Sequence, residues 1–425
     1  MKEQIRRYIP ERVLDWYHAV WAFLGVVVYR NPSHHIRVIG ITGTNGKTST
    51  THIASDILEM CGLKVGSLSS LRFKIGGSEE QNLFKMTMPG RMHIQRMMRQ
   101  AVNAECDVFV MEVTSEGIKQ NRHRGIRFDT VVFLNLTPEH IERHGSFDAY
   151  KKTKAKLFAH TQHRVAIVNA DDSHADYFSS FPCEKVVCYT VTDVNRKDVS
   201  MVRAHNVSAQ RDGIAFEIDN VAFHAPLLGM FNVSNSLAAI SICLEQGVAL
   251  ENISSIFPSI HGIDGRAEIV LNEPRVIVDY AHTPDGLEKI YAMAKTVQGD
   301  GGKKVCVLGS AGGGRDKWKR PEMGKIAEQE CDEIILTDED PYDEDPEKII
   351  EEVKKGISNQ EKVSVVLDRR EAIHKALARS NKQDTVVITG KGAEPWMVTK
   401  QGKIPWDDRK IVFEEWEKIE HDTYI

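Results

Sequence analysis

The sequence predicts an α/β protein: a central P-loop domain with a parallel sheet, followed by a C-terminal Rossmann-like α/β domain. Three observations lead there. Residues 36–41 are a mostly β-branched apolar run that breaks into Gly43-Thr44-Asn45-Gly46-Lys47-Thr48, with helical periodicity from Ser49 onward. Apolar segments of strand length then alternate with amphipathic helical ones, the rhythm of a doubly wound sheet. That rhythm restarts near Arg266, after the segment His261-Gly-Ile-Asp-Gly265, which is the linker candidate and places a boundary near residue 263. The expected organisation is a short apolar helical segment (1–35), a central domain (36–262) and a C-terminal domain (263–425).

Each element follows from its own pattern. In the central domain the candidate strands are 36–41, 107–112, 130–135 and 164–169, and helical patterns fill 49–61, 91–103 and 147–160. Residues 185–225 read as shorter strands with turns such as Arg211-Asp212-Gly213, an antiparallel excursion. A helix near 232–246 closes this part. In the second domain strands are expected at 268–271, 275–279, 303–308, 333–337, 363–367 and 385–389. Helices are expected there at 284–296, 321–330, 346–356 and 369–379.

The bulk numbers narrow the function classes. A charged fraction of 27% and a hydrophobic fraction of 41% are ordinary for a globular protein. With 55 basic and 60 acidic residues the net charge is −5, which argues against a nucleic-acid partner. The 7 cysteines are scattered without a C-x-x-C pair, which points to a reducing cytoplasm and no structural zinc. Residues 16–29, rich in Trp, Tyr and Val, are shorter than the ~20 residues a spanning helix needs. They read as a helix packed on the first domain, or as a peripheral membrane contact with Trp16, Tyr17, Trp21 and Tyr29 at headgroup level. Arg6, Arg7, Arg12 and Arg30 flank that run. The expected location is cytoplasmic, with the inner face of the membrane as a variant.

The candidate chemistry begins at the glycine loop. A strand that turns through glycines into a helix N-terminus aims several backbone N–H groups at one point, where a phosphate sits. Lys47 then reaches the terminal phosphates and the Thr48 hydroxyl ligates Mg²⁺. The strict pattern wants glycine where Ile41 stands, so this is a variant loop. Strand 107–112 ends in Glu112, an oxygen donor where a phosphate-bound hard cation needs one. The stretch Asn135-Leu-Thr-Pro-Glu-His140-Ile-Glu-Arg-His144 follows another strand end, placing two histidines on the ligand face. Lys154, on the helical run 147–160, reads by composition alone as part of a solvated face.

These motifs, with Glu112-Val-Thr-Ser115, Tyr150-x-x-x-Lys154 and Leu228-Gly-Met-Phe-Asn232, occur in the order found in Mur ligases. The chain resembles that family of P-loop ATPases, which add amino acids in peptidoglycan synthesis. The C-terminal half is similar to the members that add the third peptide residue. Its motifs are Gly262-Ile-Asp-Gly-Arg266, Val278-Asp279-Tyr-Ala-His282, Gly309-Ser-Ala-Gly-Gly-Gly-Arg315 and Gly390-Lys-Gly-Ala-Glu394. The resemblance implies ATP, Mg²⁺ and an acyl phosphate route to an amide. It implies that Lys47, Glu112, His140 and Lys154 are catalytic, that Thr48, Glu112, His140 and Lys154 serve the metals, and that Lys154 is carbamylated. Nucleotide contacts would come from Gly43, Thr44, Asn45, Gly46, Lys47, Thr48, Ser49, Asn232, Arg266, Asp279 and His282. The muramyl dipeptide would meet Thr87, Thr114, Ser115, Gln120 and Arg122. The incoming amino acid would meet Arg315, Asp340, Pro341, Tyr342, Gly390 and Glu394. Tyr342 replaces an arginine that grips the distal carboxylate of diaminopimelate, and Asp340 replaces an asparagine. A simple diamine such as lysine or ornithine is therefore the expected substrate.

The chain departs from the pattern in three places. The family's N-terminal uridine-nucleotide domain has no counterpart in residues 1–35, Met88 stands where a threonine is usual, and Ala393 replaces a histidine. Alternatives are a ligase acting on a lipid-linked muropeptide, a folylpolyglutamate or poly-amino-acid ligase, and a non-catalytic ATP-binding scaffold.

Overall fold

The β-branched run before the glycine loop lies in the middle of a nine-stranded sheet, in a computed structural model describing residues 11–84, 86–159, 164–194, 196, 199–299 and 301–423. The chain opens with α1 (Glu11–Val28), β1 (Arg37–Thr42), α2 (Lys47–Met60), β2 (Val65–Leu68), β3 (Arg72–Ile75), β4 (Ser78–Gln81) and α3 (Arg91–Asn103). It continues with β5 (Val108–Glu112), α4 (Ser115–Lys119), β6 (Thr130–Phe133), α5 (Ile141–His144), α6 (Phe147–Ala159), β7 (Val165–Asn169) and α7 (Ala175–Ser179). Then come β8 (Lys185–Thr190), β9 (Ser200–Arg203), β10 (His205–Gln210), β11 (Gly213–Ile218), β12 (Val221–Ala225), α8 (Met230–Glu245) and α9 (Leu250–Ile256).

The sheet order is β4-β3-β2-β5-β1-β6-β7-β8-β9, parallel from β2 to β9 and antiparallel at the β3–β4 edge. Both faces of its centre are covered, as a parallel sheet requires, so β5, β1, β6 and β7 are buried almost throughout rather than alternating, while the edge strand β4 is exposed. Ile39, Ile41, Val108 and Val110 pack on one side with Ile53 and Ile57 of α2 and Leu237 and Ile240 of α8. Val38, Phe109 and Met111 pack on the other with Ile94 and Met98 of α3.

The antiparallel excursion expected over 185–225 is corrected in its first half. β8 and β9 extend the parallel sheet, because Val187 and Cys188 bury on opposite faces of it; only β10–β12 form a separate antiparallel sheet. β2, Val-Gly-Ser-Leu, carries too little apolar character to be read as a strand. Its glycine is required by space: a Cβ on Gly66 would sit 2.7 Å from the Phe109 ring.

The C-terminal part contains β13 (Glu268–Asn272), β14 (Arg275–Asp279), α10 (Pro284–Val297), β15 (Lys304–Leu308), α11 (Lys319–Glu330), β16 (Glu333–Leu336) and α12 (Pro346–Lys354). β17 (Val363–Val365), α13 (Arg369–Arg379), β18 (Thr385–Thr389), β19 (Trp396–Thr399), β20 (Gly402–Pro405) and α14 (Asp408–Thr423) follow. Its six-stranded sheet runs β13-β14-β18-β15-β16-β17, parallel except for β13. The β19–β20 hairpin and α14 were not expected from the sequence. Cys306 in β15 and Cys331, just before the neighbouring β16, are joined as a disulfide with Cα atoms 6.1 Å apart. Adjacent parallel strands here bring together two cysteines that stand in no recognisable spacing. Among the described residues no helix is long and apolar enough to cross a membrane.

One buried ion pair fastens α14 to the sheet. Arg369, at the start of α13, reaches Asp408 at 2.9 and 2.7 Å and also donates to the Thr389 carbonyl at 2.8 Å. Both side chains are inaccessible to solvent, and the Trp406 indole donates to Asp408 at 2.8 Å. Truncating one partner strands the other charge, which costs about 3–5 kcal/mol. Asp408→Ala is expected to lower the urea-unfolding free energy by that amount, whereas Arg369→Met with Asp408→Leu costs much less. Equal losses in the two proteins would show that the pair is no more than packing volume.

Candidate active site

The carboxyl ends of β1, β5 and β6 open into a cleft of about 1640 Å³, whose far wall is C-terminal. The glycine loop forms its floor. Gly46 has φ +84°, and a Cβ there would lie 2.3 Å from the Asn235 side-chain oxygen, so only glycine fits. Asn135 braces the loop: its Oδ1 accepts from the Thr44 and Asn45 amides at 3.1 and 2.9 Å, and its Nδ2 donates to the Asn45 carbonyl at 3.0 Å. Lys47 Nζ donates to the Gly43 and Thr44 carbonyls at 2.9 and 2.8 Å, and burial lowers its pKa.

Thr48 and Glu112 stand together at the loop's end. Thr48 Oγ1 lies 2.8 Å from Ser70 Oγ, and the Ser70 amide donates to Glu112 Oε1 at 2.8 Å. Burial raises the Glu112 pKa, and the Lys47 charge opposes that rise. Among the described residues no three His, Cys, Asp or Glu side chains converge in a metal-binding group. The oxygen pair is therefore what the protein itself offers a hard cation there.

Lys154 is not on a solvated face. It is buried, with Nζ 2.8 Å from the same Gly43 carbonyl and 4.7 Å from the centre of the Tyr150 ring. Burial, and then the Lys47 charge, push its pKa far down. His140 has φ +56° and lines the cleft. Burial, with Arg315 and Lys154 facing it, keeps its imidazole neutral, the form that ligates metals.

The C-terminal part reaches over this floor. Asn45 Nδ2 donates to Asp285 at 2.7 Å, and the Asp316 carboxylate accepts from the Ile141 and Glu142 amides at 3.0 Å each. Lys319 pairs with Glu139 at 3.1 Å, both buried. Asp279 accepts from the Ala267 and Ala281 amides at 2.7 and 2.6 Å, and His282 Nδ1 lies 2.9 Å from the Tyr280 carbonyl oxygen. The Arg266 guanidinium stacks 4.0 Å from the Tyr280 ring centre. Arg266 also lines a second pocket of about 330 Å³, with Asn232, Ser49, Leu228 and Ile263.

Thr87, Thr114, Gln120 and Arg122 line one end of the cleft together with His18 of α1. Arg122 donates to the Met88 carbonyl and, at 2.7 Å, to Gln120 Oε1. Arg315, Asp340, Tyr342, Gly390 and Glu394 line the other end. Ser115 and Pro341 are buried and outside the cleft lining, so the structure does not gather them with the rest. Asp340 is engaged: Lys391 Nζ lies 3.1 Å from each of its oxygens, and the Val398 amide donates to it at 2.7 Å. Glu339, beside it, is buried and lifted to about 7 by desolvation. Asn135, Glu139, Asp316 and Lys319 escaped the sequence analysis as individual site residues, because their roles lie in loop bracing and cross-domain contacts that spacing does not reveal.

Comparison with known proteins agrees with this architecture. Residues 41–243 match the Mur ligase middle domain, and residues 265–392 match the Mur ligase, glutamate ligase domain. The UDP-N-acetylmuramoyl-L-alanyl-D-glutamate–2,6-diaminopimelate ligase of Clostridium botulinum is 36% identical over 396 residues, covering 91% of this chain and 79% of that protein. Its namesake from Geobacillus thermodenitrificans is 33% identical, covering 95% and 83%. A solved diaminopimelate ligase of the same name superposes with a TM-score of 0.61 at 28% identity, covering 90% of this chain and 78% of that one. Mycobacterium tuberculosis folylpolyglutamate synthase, solved with ADP and AMPPCP, shares the fold at a TM-score of 0.67 and 17% identity, covering 88% and 92%. A phosphate loop under a C-terminal α/β domain, matched by both family models along most of its length, places this chain in the Mur ligase family of ATP-dependent amide-forming ligases.

Proposed function

We propose that this chain joins an amino acid to the terminal carboxylate of a muramyl dipeptide, consuming ATP and releasing ADP and phosphate. The acceptor class follows the activity for which the relatives are named. The phosphates of ATP lie over residues 43–48, on the amides opening α2, and its base occupies the small pocket beside Asn232 and Arg266. The acceptor carboxylate oxygen attacks the γ-phosphorus and ADP departs, leaving an acyl phosphate. The amine then attacks the acyl carbon; the tetrahedral intermediate expels phosphate, and the nitrogen gives up a proton. Charge builds first on the phosphoryl group and then on the tetrahedral oxygen, so the work of the protein is positioning and electrostatics. Lys47 serves the phosphoryl group, and Arg315, His140 and His282 face the reacting centre across the cleft. Thr48 and Glu112 are hard oxygen donors that fit Mg²⁺, which when bound neutralises phosphate charge. We place the division between the two cooperating domains near residue 263.

The observation that carries this proposal is the burial of Lys154 against the phosphate loop. A lysine ammonium there would be buried beside the positive charge of Lys47, so the neutral amine is favoured. A neutral amine is the nucleophile that adds carbon dioxide, and the resulting carbamate would be an anion directed at the phosphate and metal end of the cleft. With ¹³C-labelled bicarbonate, the wild type is expected to show a protein-bound carbamate carbon resonance that Lys154→Ala lacks. Lys154→Ala should also lose phosphate release stimulated by acceptor plus amino acid, and excess bicarbonate should not restore it. Full activity in that variant would refute the carbamate assignment. Lys47→Ala should lower the same phosphate release by at least about 100-fold, the scale on which a positioned donor to a transition state acts.

At the amino-acid end, Tyr342 supplies no cation for a distal carboxylate. Lys391 is held by Asp340 and Glu394, Arg315 is engaged by the Tyr342 side chain, and Glu339 and Asp343 add further acid nearby. That balance favours a simple diamine, lysine or ornithine, over diaminopimelate. The names of the relatives favour diaminopimelate as the second reading. Phosphate release measured with lysine, ornithine, diaminopimelate and glutamate separates the two. The diamine proposal expects lysine or ornithine to have the highest kcat/KM, and expects Tyr342→Arg to shift the ratio toward diaminopimelate by about tenfold or more.

A further inference from the structure

Helix α1 is apolar on two opposite faces, and only one of them is used. On the inner face Gly25 lies against α3, where a Cβ would be 3.2 Å from both Gln95 and Met92, and Val26 covers Gly125. The Tyr29 and Arg30 carbonyls, just beyond the helix, accept from Arg99 at 2.9 and 2.8 Å. The outer face presents Trp16, Tyr17, Trp21, Phe23, Val27 and Val28 to solvent, with Trp16 71% and Phe23 66% exposed. At 3.6 residues per turn these positions span an arc of about 160°. Isolated exposed apolar residues need no explanation, but a continuous stripe along a whole helix marks a docking surface.

The surroundings of the stripe identify what it meets. The chain carries a net charge of −5, yet arginines collect at the C-terminal end of α1. Arg30, Arg124 and Arg127 are exposed, and Arg99 is tied to the backbone there. The Arg127 amide donates to Ser33 at 3.1 Å, and Gly125 sits under Val26, so these arginines belong to one rim. Aromatic residues beside a basic rim, on a helix too short and too charged at its start to span, are the composition of a helix lying in a lipid–water interface. Arg6 and Arg7, expected to flank the same segment, lie outside the described residues. His18, on the turn beside the stripe, lines the acceptor end of the catalytic cleft.

We infer that α1 docks this protein on an anionic phospholipid bilayer, bringing the acceptor end of the cleft to the membrane surface. Docking itself does not depend on the proposed reaction. Its consequence, that the acceptor is a muramyl peptide carried on a lipid, rests on that reading.

Flotation of the full chain with vesicles tests it. The protein should rise with phosphatidylcholine vesicles containing phosphatidylglycerol, less so with phosphatidylcholine alone, and less at high salt. A Trp16→Ser, Trp21→Ser, Phe23→Ser variant should lose at least about tenfold in bound fraction, and Arg30→Glu with Arg124→Glu should abolish the preference for anionic vesicles. Both should keep the wild-type melting temperature and activity on a soluble acceptor, because these side chains lie outside the cleft. A wild type that stays unbound with both vesicle types overturns the inference. So does a wild-type dimer, seen by light scattering, that the serine variant separates, for then a second copy covers the face. Flotation without ligase activity would instead count against the proposed reaction and leave the docking intact.

Discussion

Two lysines share one acceptor. The Gly43 carbonyl receives Lys47 Nζ at 2.9 Å and Lys154 Nζ at 2.8 Å, the first part-buried and the second buried, and the rest of the site is arranged around that crowding. Two ammonium groups cannot both be retained there cheaply, and burial depresses the pKa of each. The sign of the consequence follows from linkage. Because the folded values lie below the ordinary 10.5, the unfolded chain binds more protons than the native one between those values, and stability falls as pH drops through that interval. Glu112 offsets part of this through its attraction to Lys47. An anion in the loop offsets more, so the electrostatics of the cleft floor favour a phosphate there.

The same crowding explains why the cleft needs its second wall. The central domain holds the phosphate loop, Glu112 and Lys154, but few groups that could hold an incoming amine. Arg315, Glu339 and Glu394 arrive from the C-terminal sheet, and the contacts that bring them are polar and specific. Asp316 accepts two amides of α5, and Asn45, within the phosphate loop itself, donates to Asp285. A phosphate-loop residue is thereby bonded directly to the C-terminal part that faces it.

Most of this was legible in sequence wherever a residue's role is local. The strand–loop–helix around Lys47 needs only a buried β-branched run and glycines, and α3, β14, α13 and β18 fall on their expected residues. Elements carrying little apolar signal were not legible. β2 contains Gly66 because Phe109 leaves no room for a side chain, so tertiary packing removed the local cue. β8 and β9 look like the strands of a meander until neighbours cover both of their faces. Lys154 illustrates the limit for site residues. Its helix is polar enough to read as solvated, and only the approach of Gly43, distant in sequence, buries it beside Tyr150 one turn earlier on its own helix. Asn135 and Asp316 act entirely through such distant partners.

Charge at the amino-acid end shows how a three-dimensional partner can change a chemical argument without reversing it. In sequence, Asp340 counts as an added acid that would attract a second amine. In the fold its carboxylate is committed to Lys391 and to the Val398 amide, so it has little left for a ligand. The same pairing commits Lys391, which also contacts Glu394. Under the proposed diamine specificity, discrimination against a distal carboxylate would rest on the lack of an arginine at position 342 more than on the presence of Asp340, with Arg315 engaged by the Tyr342 side chain. A site that leaves a buried carboxylate unpaired rejects it more strongly than one that merely adds repulsion at its rim. In the proposed diamine reading Asp340 thus acts indirectly, by holding Lys391 in place.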